Sequence, residues 1–403
     1  MRHPIRNWLA GAASVLLWAT ASDAQNGPFS AEQLASLQQG VRDIYNMEYG
    51  RATERFQAMI REAPDDPTGY AFLARTYFVK ELAQKQELSI DRFASSDFFE
   101  EQPKYMPKLD PAAEKQFRTV NDEAIAKAKA RLVRRPTDQA GLFLRGLAYQ
   151  NLSSFETSLR RGWTKALFAG KKAAADHKKL SQVNPALIDA RLSGGAKDYV
   201  LGRLPLGWKI VFGLVGYTGN KDQGIRTLEE VARNASLLAD DARIVLILIY
   251  TREKNYQQAY DHLNELKQKY QRNYLVQLDM AGMQMLMGQP ANAIGIYGEV
   301  KRRRTSGEPG YADLELAFLY NRLGVAFREA KNFEEAVGNF HLALNEPGVS
   351  GRSATVAHLE LGKTLDLMGK RDEALKNYAA VAAAEDVAGS QLEARKLLTT
   401  SFR

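Results

Sequence analysis

Two stretches near the C-terminus superimpose without a gap: YNRLGVAFREAKNFEEAVGNFHLAL from Tyr320 and HLELGKTLDLMGKRDEALKNYAAV from His358. Tyr320 aligns with His358, Leu323-Gly324 with Leu361-Gly362, Phe327 with Leu365, Ala336 with Ala374, Phe340 with Tyr378 and Ala343 with Val381. Apolar residues recur at steps of three and four in both halves of each stretch, the pattern of two amphipathic helices. Lys331-Asn332 and Lys370-Arg371 fall in the turns between them. A glycine in the first helix and an alanine at the start of the second let the two backbones approach closely. Such a unit has no closed core of its own and must stack on copies of itself, which restricts the chain to a linear array.

The unit resembles the tetratricopeptide repeat, a helix–turn–helix of about 34 residues with the pattern W-x2-L-G-x2-Y, A-x3-F and a following Pro. Further copies fit it. YNMEYGRATERFQAMIREAPDDP supplies Ala52, Phe56 and Pro64, and Tyr70–Tyr77 begins the next first helix. DEAIAKAKARLVRRP supplies Ala124 and Pro136, with Gly146 and Tyr149 after it. Ala259 with Leu263 and Ala293 with Tyr297 mark two more second helices, spaced by the expected 34 residues. The intervals of 43 and 38 from Ala293 to Ala336 to Ala374 place loop insertions at TSGEPG and EPGVSG. A longer insertion, about residues 84–115, is rich in proline and mixed charge and reads as a long loop between two helices. No alternating Val/Ile run of strand length occurs. The expected fold is therefore all-α: a helix-turn-helix repeat solenoid, a TPR-like right-handed superhelix with a concave face. It is divided into N-terminal repeats (25–150), an atypical helical segment (151–223) and C-terminal repeats (224–403).

The stretch LGRLPLGWKIVFGLVGYTGNKDQG, from Leu201, interrupts the charged helices. Arg203, Pro205, Lys209 and the glycines argue against a membrane span, because charge at the bilayer centre costs about 2.5–3.5 kcal/mol per residue and Pro breaks helices. Gly213, Gly216 and Gly219 lack the Gly-Lys-Ser/Thr ending of a phosphate loop and a preceding strand. Two readings remain: an apolar helical insert buried in the array, or a patch through Trp208 and Phe212 that contacts a membrane or partner. GIRTLEEVARN then restarts as a second helix, with Gly224 at the alanine position and Leu228 at the aromatic one. Leu204-Pro205, Gly216-Tyr217, Gly219-Asn220 and Gly224 also resemble the central signature of the tetratricopeptide-repeat-39 and inclusion-body-clearance family, over about residues 145–300. That resemblance implies an atypical helical pair embedded among repeats. The N-terminal pattern departs from that largely intracellular family, so the family's lipid-droplet association is not carried over.

The first residues, MRHPIRNWLAGAASVLLWATASDAQ, have a basic start, an apolar run from Trp8 to Ala21 and small residues at Ser22 and Ala24. This is the pattern of a secretory signal peptide cleaved near Ala24. No cysteine occurs among the 403 residues, so disulfides and thiol chemistry are excluded. A periplasmic or secreted bacterial protein is expected. The net charge of +8 is dispersed in Arg134-Arg135, Lys171-Lys172, Lys178-Lys179 and Lys301–Arg304. Such runs suit solvated helix ends, an acidic partner or an anionic lipid surface. Nucleic acid is not expected as a partner of an exported chain.

Catalytic and cofactor signatures are missing from the pattern. His177, His262, His341 and His358 fall in separate helices without the spacing of metal ligands, and no Gly-x-Ser-x-Gly elbow occurs. Adjacent carboxylates such as Glu229-Glu230 point about 100° apart on a helix. The expectation is a non-enzymatic scaffold without cofactor or metal, which holds a protein or peptide partner, acidic if the basic excess lines the groove. The alternative is a peripheral envelope-membrane protein or a subunit of an envelope export or assembly complex. Repeat register assigns the concave face to Arg75, Leu248, Arg252, Met285, Asn321, Arg328 and Lys363. Asn321 and Lys363 fall short of a full carboxylate clamp. Nothing in the pattern sets an oligomeric state.

Overall fold

A computed structural model describes residues 27–84, 109–203 and 218–403. The signal-like segment 1–24, most of the 84–115 insertion, and the apolar insert with Trp208 and Phe212 lie outside the described residues. Among the described residues there are seventeen α-helices and no strand. They are α1 (Ala31–Tyr45), α2 (Tyr49–Glu62), α3 (Pro67–Gln84), α4 (Pro111–Arg134), α5 (Gln139–Phe155), α6 (Trp163–Val183) and α7 (Leu192–Arg203). Then come α8 (Lys221–Asn234), α9 (Ala239–Arg252), α10 (Tyr256–Lys269), α11 (Tyr274–Leu286) and α12 (Pro290–Thr305). The last five are α13 (Leu316–Glu329), α14 (Phe333–Leu344), α15 (Gly351–Leu367), α16 (Arg371–Ala383) and α17 (Ser390–Thr399). Each helix packs on the next in the chain, giving eight helix pairs capped by α17. The fold is a helical repeat solenoid.

One contact recurs inside the pairs. A small residue on the first helix lies against a large ring on the second, and a Cβ there would stand 2.3 Å from the ring of Phe56 at Gly40, 2.5 Å from that of Phe340 at Gly324 and 2.5 Å from that of Tyr378 at Gly362. Ala52, Ala336 and Ala374, one turn before these rings, are fully buried at the same crossing. The turns within pairs also repeat. Met47, Lys254, Gly288, Lys331 and Gly369 are left-handed. In each case the next amide closes back on a carbonyl five residues earlier, as Asn332 does on Phe327 and Lys370 on Leu365.

Two expectations change in detail. Pro111–Lys115, read as part of the long loop, already belong to α4, because Asp110 caps that helix and Pro111 occupies its first turn. The stretch 151–223 contains two regular elements. α6 is the second helix of the pair begun by α5, and His177 stands where other pairs have an aromatic ring, 2.2 Å from a Cβ at Gly146. α7 and α8 form the next pair, where a Cβ at Gly224 would stand 2.5 Å from the Tyr199 amide nitrogen, so two helix backbones touch. The irregular features are a π-helical turn, Glu156–Arg160, and a 3-10 turn, Ile188–Arg191.

His177 is fully buried between Ser193 Oγ, 2.9 Å from Nδ1, and the Phe143 carbonyl, 3.2 Å from Nε2. Burial holds its pKa below the ordinary 6.5. The unfolded chain therefore binds a proton there that the folded one does not. The corresponding stability is present above pH 6.5 and falls as the pH drops from 6.5 towards the lowered folded pKa. In a chemical-denaturation series, His177→Phe should flatten this part of the pH profile. Gly324→Ala should cost about 1–3 kcal/mol in the same assay, whereas Gly338→Ala, with nothing within 4 Å of the added Cβ, should gain about 0.5–1 kcal/mol.

Candidate partner-binding groove

The first helices of successive pairs carry the residues assigned to the concave face. In the N-terminal half they meet one another. Arg75 of α3 is 4% exposed and donates from Nη2 to Asp241 Oδ2 on α9 at 2.8 Å, a bond that joins residues 166 positions apart. Its guanidinium also lies 5.6 Å over the ring of Tyr45, at the end of α1. The Tyr45 ring stacks on Tyr270 at 4.9 Å, and the Tyr45 carbonyl accepts from Asn273 Nδ2 at 2.8 Å. Asn273 Oδ1 caps α11 from the other side. Gln38 adds a bond to the Ser236 carbonyl, and Arg272 pairs with Glu48.

The chain thus turns back so that α1 and α3 lie against α9 and the start of α11. Arg75, expected to face a ligand, faces Asp241 instead. Burial pushes the Asp241 carboxyl up, and Arg75 pulls it only part of the way back. Burial by itself would push the Arg75 guanidinium down, but Asp241 and Tyr45 carry it above its ordinary value. The neighbouring Asp240 is buried and receives Arg243, Lys269 and Tyr270. Leu248 of α9 is half-buried. Arg252 lies at the end of α9, where burial lowers its pKa and the Tyr199 and Glu253 side chains are near.

The C-terminal half is arranged differently. Asn321 is buried and donates to the Ser353 carbonyl of the next first helix at 2.9 Å. Arg328 of α13 donates to Glu360 of α15 at 2.5 Å, and Lys363 bonds both Glu360 and Glu393 at 2.8 Å. Phe402 lies over this group, 5.8 Å from the Arg328 guanidinium and 5.7 Å from Lys363 Nζ, while its amide donates to Asp366. These two cations, expected to be open to an acidic ligand, are each matched by a carboxylate and covered by a ring. Glu360 lies on the next first helix, 32 residues after Arg328, so the two meet across the stacking of neighbouring units.

Met285 is half-buried in α11. Leu278 on α11 stands seven residues before Met285, and Phe318 and Val325 on α13 stand three before Asn321 and Arg328; all three are half-buried, apolar and packed against the core. Sequence reasoning passed over these three because it weighted charge, although their spacing from Met285, Asn321 and Arg328 marks the same helix faces. Among the described residues no group of three or more His, Asp or Glu is placed to hold a metal, and no helix is long and apolar enough to cross a membrane. A cleft of about 730 Å³ lies away from the groove between Glu114, Arg118, Glu156, Arg160 and Trp163.

No family model and no curated protein matches the chain. Solved structures similar to it include a tetratricopeptide repeat protein from Parabacteroides merdae, 15% identical over 82% of this chain and 99% of that one, with a TM-score of 0.32. Yeast Tom70 is 13% identical over 89% and 86%, with a TM-score of 0.35. The TPR domain of P58(IPK) is 14% identical over 92% and 99%, with a TM-score of 0.24. At these scores the likeness carries no argument for a partner. The repeat assignment stands on the glycine–ring crossings of this chain.

Two outcomes follow for stability. Arg75→Met leaves the half-buried Asp241 without its cation and should cost about 1–3 kcal/mol in urea unfolding. Arg75→Met with Asp241→Leu should recover most of that loss. At the other end, Arg328 and Lys363 outweigh the burial penalty and hold the Glu360 pKa below its ordinary 4.5. Its contribution is complete above 4.5 and is lost as the pH falls through the lowered folded value. Glu360→Gln should be less stable than wild type at neutral pH and should show a shallower loss below pH 4.5.

Proposed function

We propose that the chain is a non-enzymatic scaffold, exported to the periplasm or cell exterior, that binds an extended or helical segment of another protein on the first helices α11, α13 and α15. The observation that carries this reading is the unequal use of the first helices. Those of the N-terminal half are spent on one another through Arg75, Asp241 and Tyr45. Those of the C-terminal half keep half-buried apolar side chains, Leu278, Met285, Phe318 and Val325, at groove positions of two successive units. The signal-like first residues support export. Because Arg328 and Lys363 are already paired with carboxylates, the partner segment is apolar rather than acidic, and its binding is insensitive to salt.

A pull-down from an envelope fraction, in low and high salt, tests this. One discrete protein should be retained at both salt levels by the wild-type chain. Phe318→Asp and Met285→Asp, each checked for an unchanged helical melt, should release it. Retention by both variants, or elution by salt alone, would overturn the assignment of the site.

A further inference from the structure

The α6 helix differs from the other second helices of the array. Each of the other seven, α2, α4, α8, α10, α12, α14 and α16, exposes at least one carboxylate, for example Glu54, Asp122, Asp222, Asp261, Glu299, Glu334 and Asp372. The outward face of α6 exposes none. The only acid on that helix, Asp176, is buried and held by Arg145 at 2.6 and 2.8 Å. Exposed along the helix are Lys165, Lys171, Lys172, Lys178 and Lys179. Lys165, Lys178 and Lys179 form no ion pair among the described residues, and Lys172 lies 5.1 Å over the Tyr149 ring. Large apolar side chains stand among them: Phe168 is 60% exposed and Val183 38%, and Leu167, 40% exposed, lies about 100° round the helix from Phe168.

The steps from Lys165 to Phe168, Lys172, Lys179 and Val183 are three, four, seven and four residues, so these side chains share one side of the helix. From Lys165 to Lys179 the stripe runs about 21 Å at 1.5 Å per residue. The helix has polar cations, apolar bulk and no acid on a single outward face. This is the composition that lies flat in a membrane interface, with ammonium groups at headgroup level and apolar side chains below them. The cations are all lysine. A fixed acidic protein partner favours the planar fork of arginine, whereas lysine acts as a point charge that tolerates a fluid array of phosphates. The π-helical turn Glu156–Arg160 and the left-handed Arg161 end α5 immediately before Trp163, so α6 starts from a sharp change of direction.

We propose that the outward face of α6 docks the solenoid on an anionic phospholipid surface. This surface is separate from the groove on α11–α15, and neither reading needs the other.

The test is co-sedimentation of the full chain with phosphatidylcholine vesicles that contain about one third phosphatidylglycerol, or none. The quantity read is the anionic increment, the binding to the mixed vesicles above that to neutral ones. Near such a surface each lysine changes partitioning about fivefold, so Lys178→Gln with Lys179→Gln should reduce the increment about 25-fold. Phe168→Ser should reduce it as well, and added salt should abolish it. All three positions are exposed, so unchanged thermal melts are expected and exclude unfolding as the cause. An increment that survives the lysine pair would overturn the proposal. So would an increment abolished by Trp208→Ala with Phe212→Ala but untouched by the α6 substitutions. Retention on immobilised polyglutamate without any anionic increment would instead assign the face to an acidic polypeptide and would equally sink the lipid reading.

Discussion

The Arg75–Asp241 pair is the contact on which the arrangement of the array depends. In an ordinary stack of repeats each unit touches only its neighbours, and stability is a sum of local terms. Here α3 and α9 are joined by an ion pair between a buried Arg75 and a half-buried Asp241, flanked by Tyr45 stacked on Tyr270 and by Asn273 reaching the end of α1. A pair of this kind contributes little when both partners are present, yet loss of either leaves an unmatched buried charge. It therefore acts as a specificity device. The first two pairs and the fifth hold one relative position, and the face they would otherwise offer to a ligand becomes interior.

The same accounting of partners explains where the basic excess goes. Lys301–Arg304 looks like a free cationic run in the sequence, but Arg302 and Arg303 bond Glu299 and Glu308, and Arg304 bonds the Leu314 carbonyl. Arg328 and Lys363 are matched by Glu360 and Glu393. Cations set among carboxylates add little field at a distance. On α6, by contrast, Lys165, Lys178 and Lys179 form no ion pair among the described residues.

The repeat was legible because its signal is local. Gly324 with Phe340 and Gly362 with Tyr378 sit 16 residues apart in both units, and the crossing that requires them leaves the same mark each time. The α5–α6 pair was harder to see. Its Gly146–His177 contact spans 31 residues, and an imidazole replaces the aromatic ring. The residues assigned to the groove from the sequence include four that the structure buries. Arg75, Asn321, Arg328 and Lys363 do lie on first helices, yet what covers them comes from other units: Asp241, Ser353, Glu360 and Phe402. No periodicity within a unit encodes a contact between units.

The back-folded N-terminal pair has a kinetic consequence. Most contacts in a helical array lie within one or two units, which favours rapid folding from many starting points. Residues 38 to 75 are an exception, because their partners lie between residues 236 and 273. A chain that emerges from its N-terminus must therefore hold its first two pairs unsealed while about half of its length is produced. Closing so large a loop costs entropy that local pairs do not incur. During that interval Tyr45, Arg75 and the apolar side of α1 face solvent, so the earliest part of the chain is completed only after the middle of the array has been made.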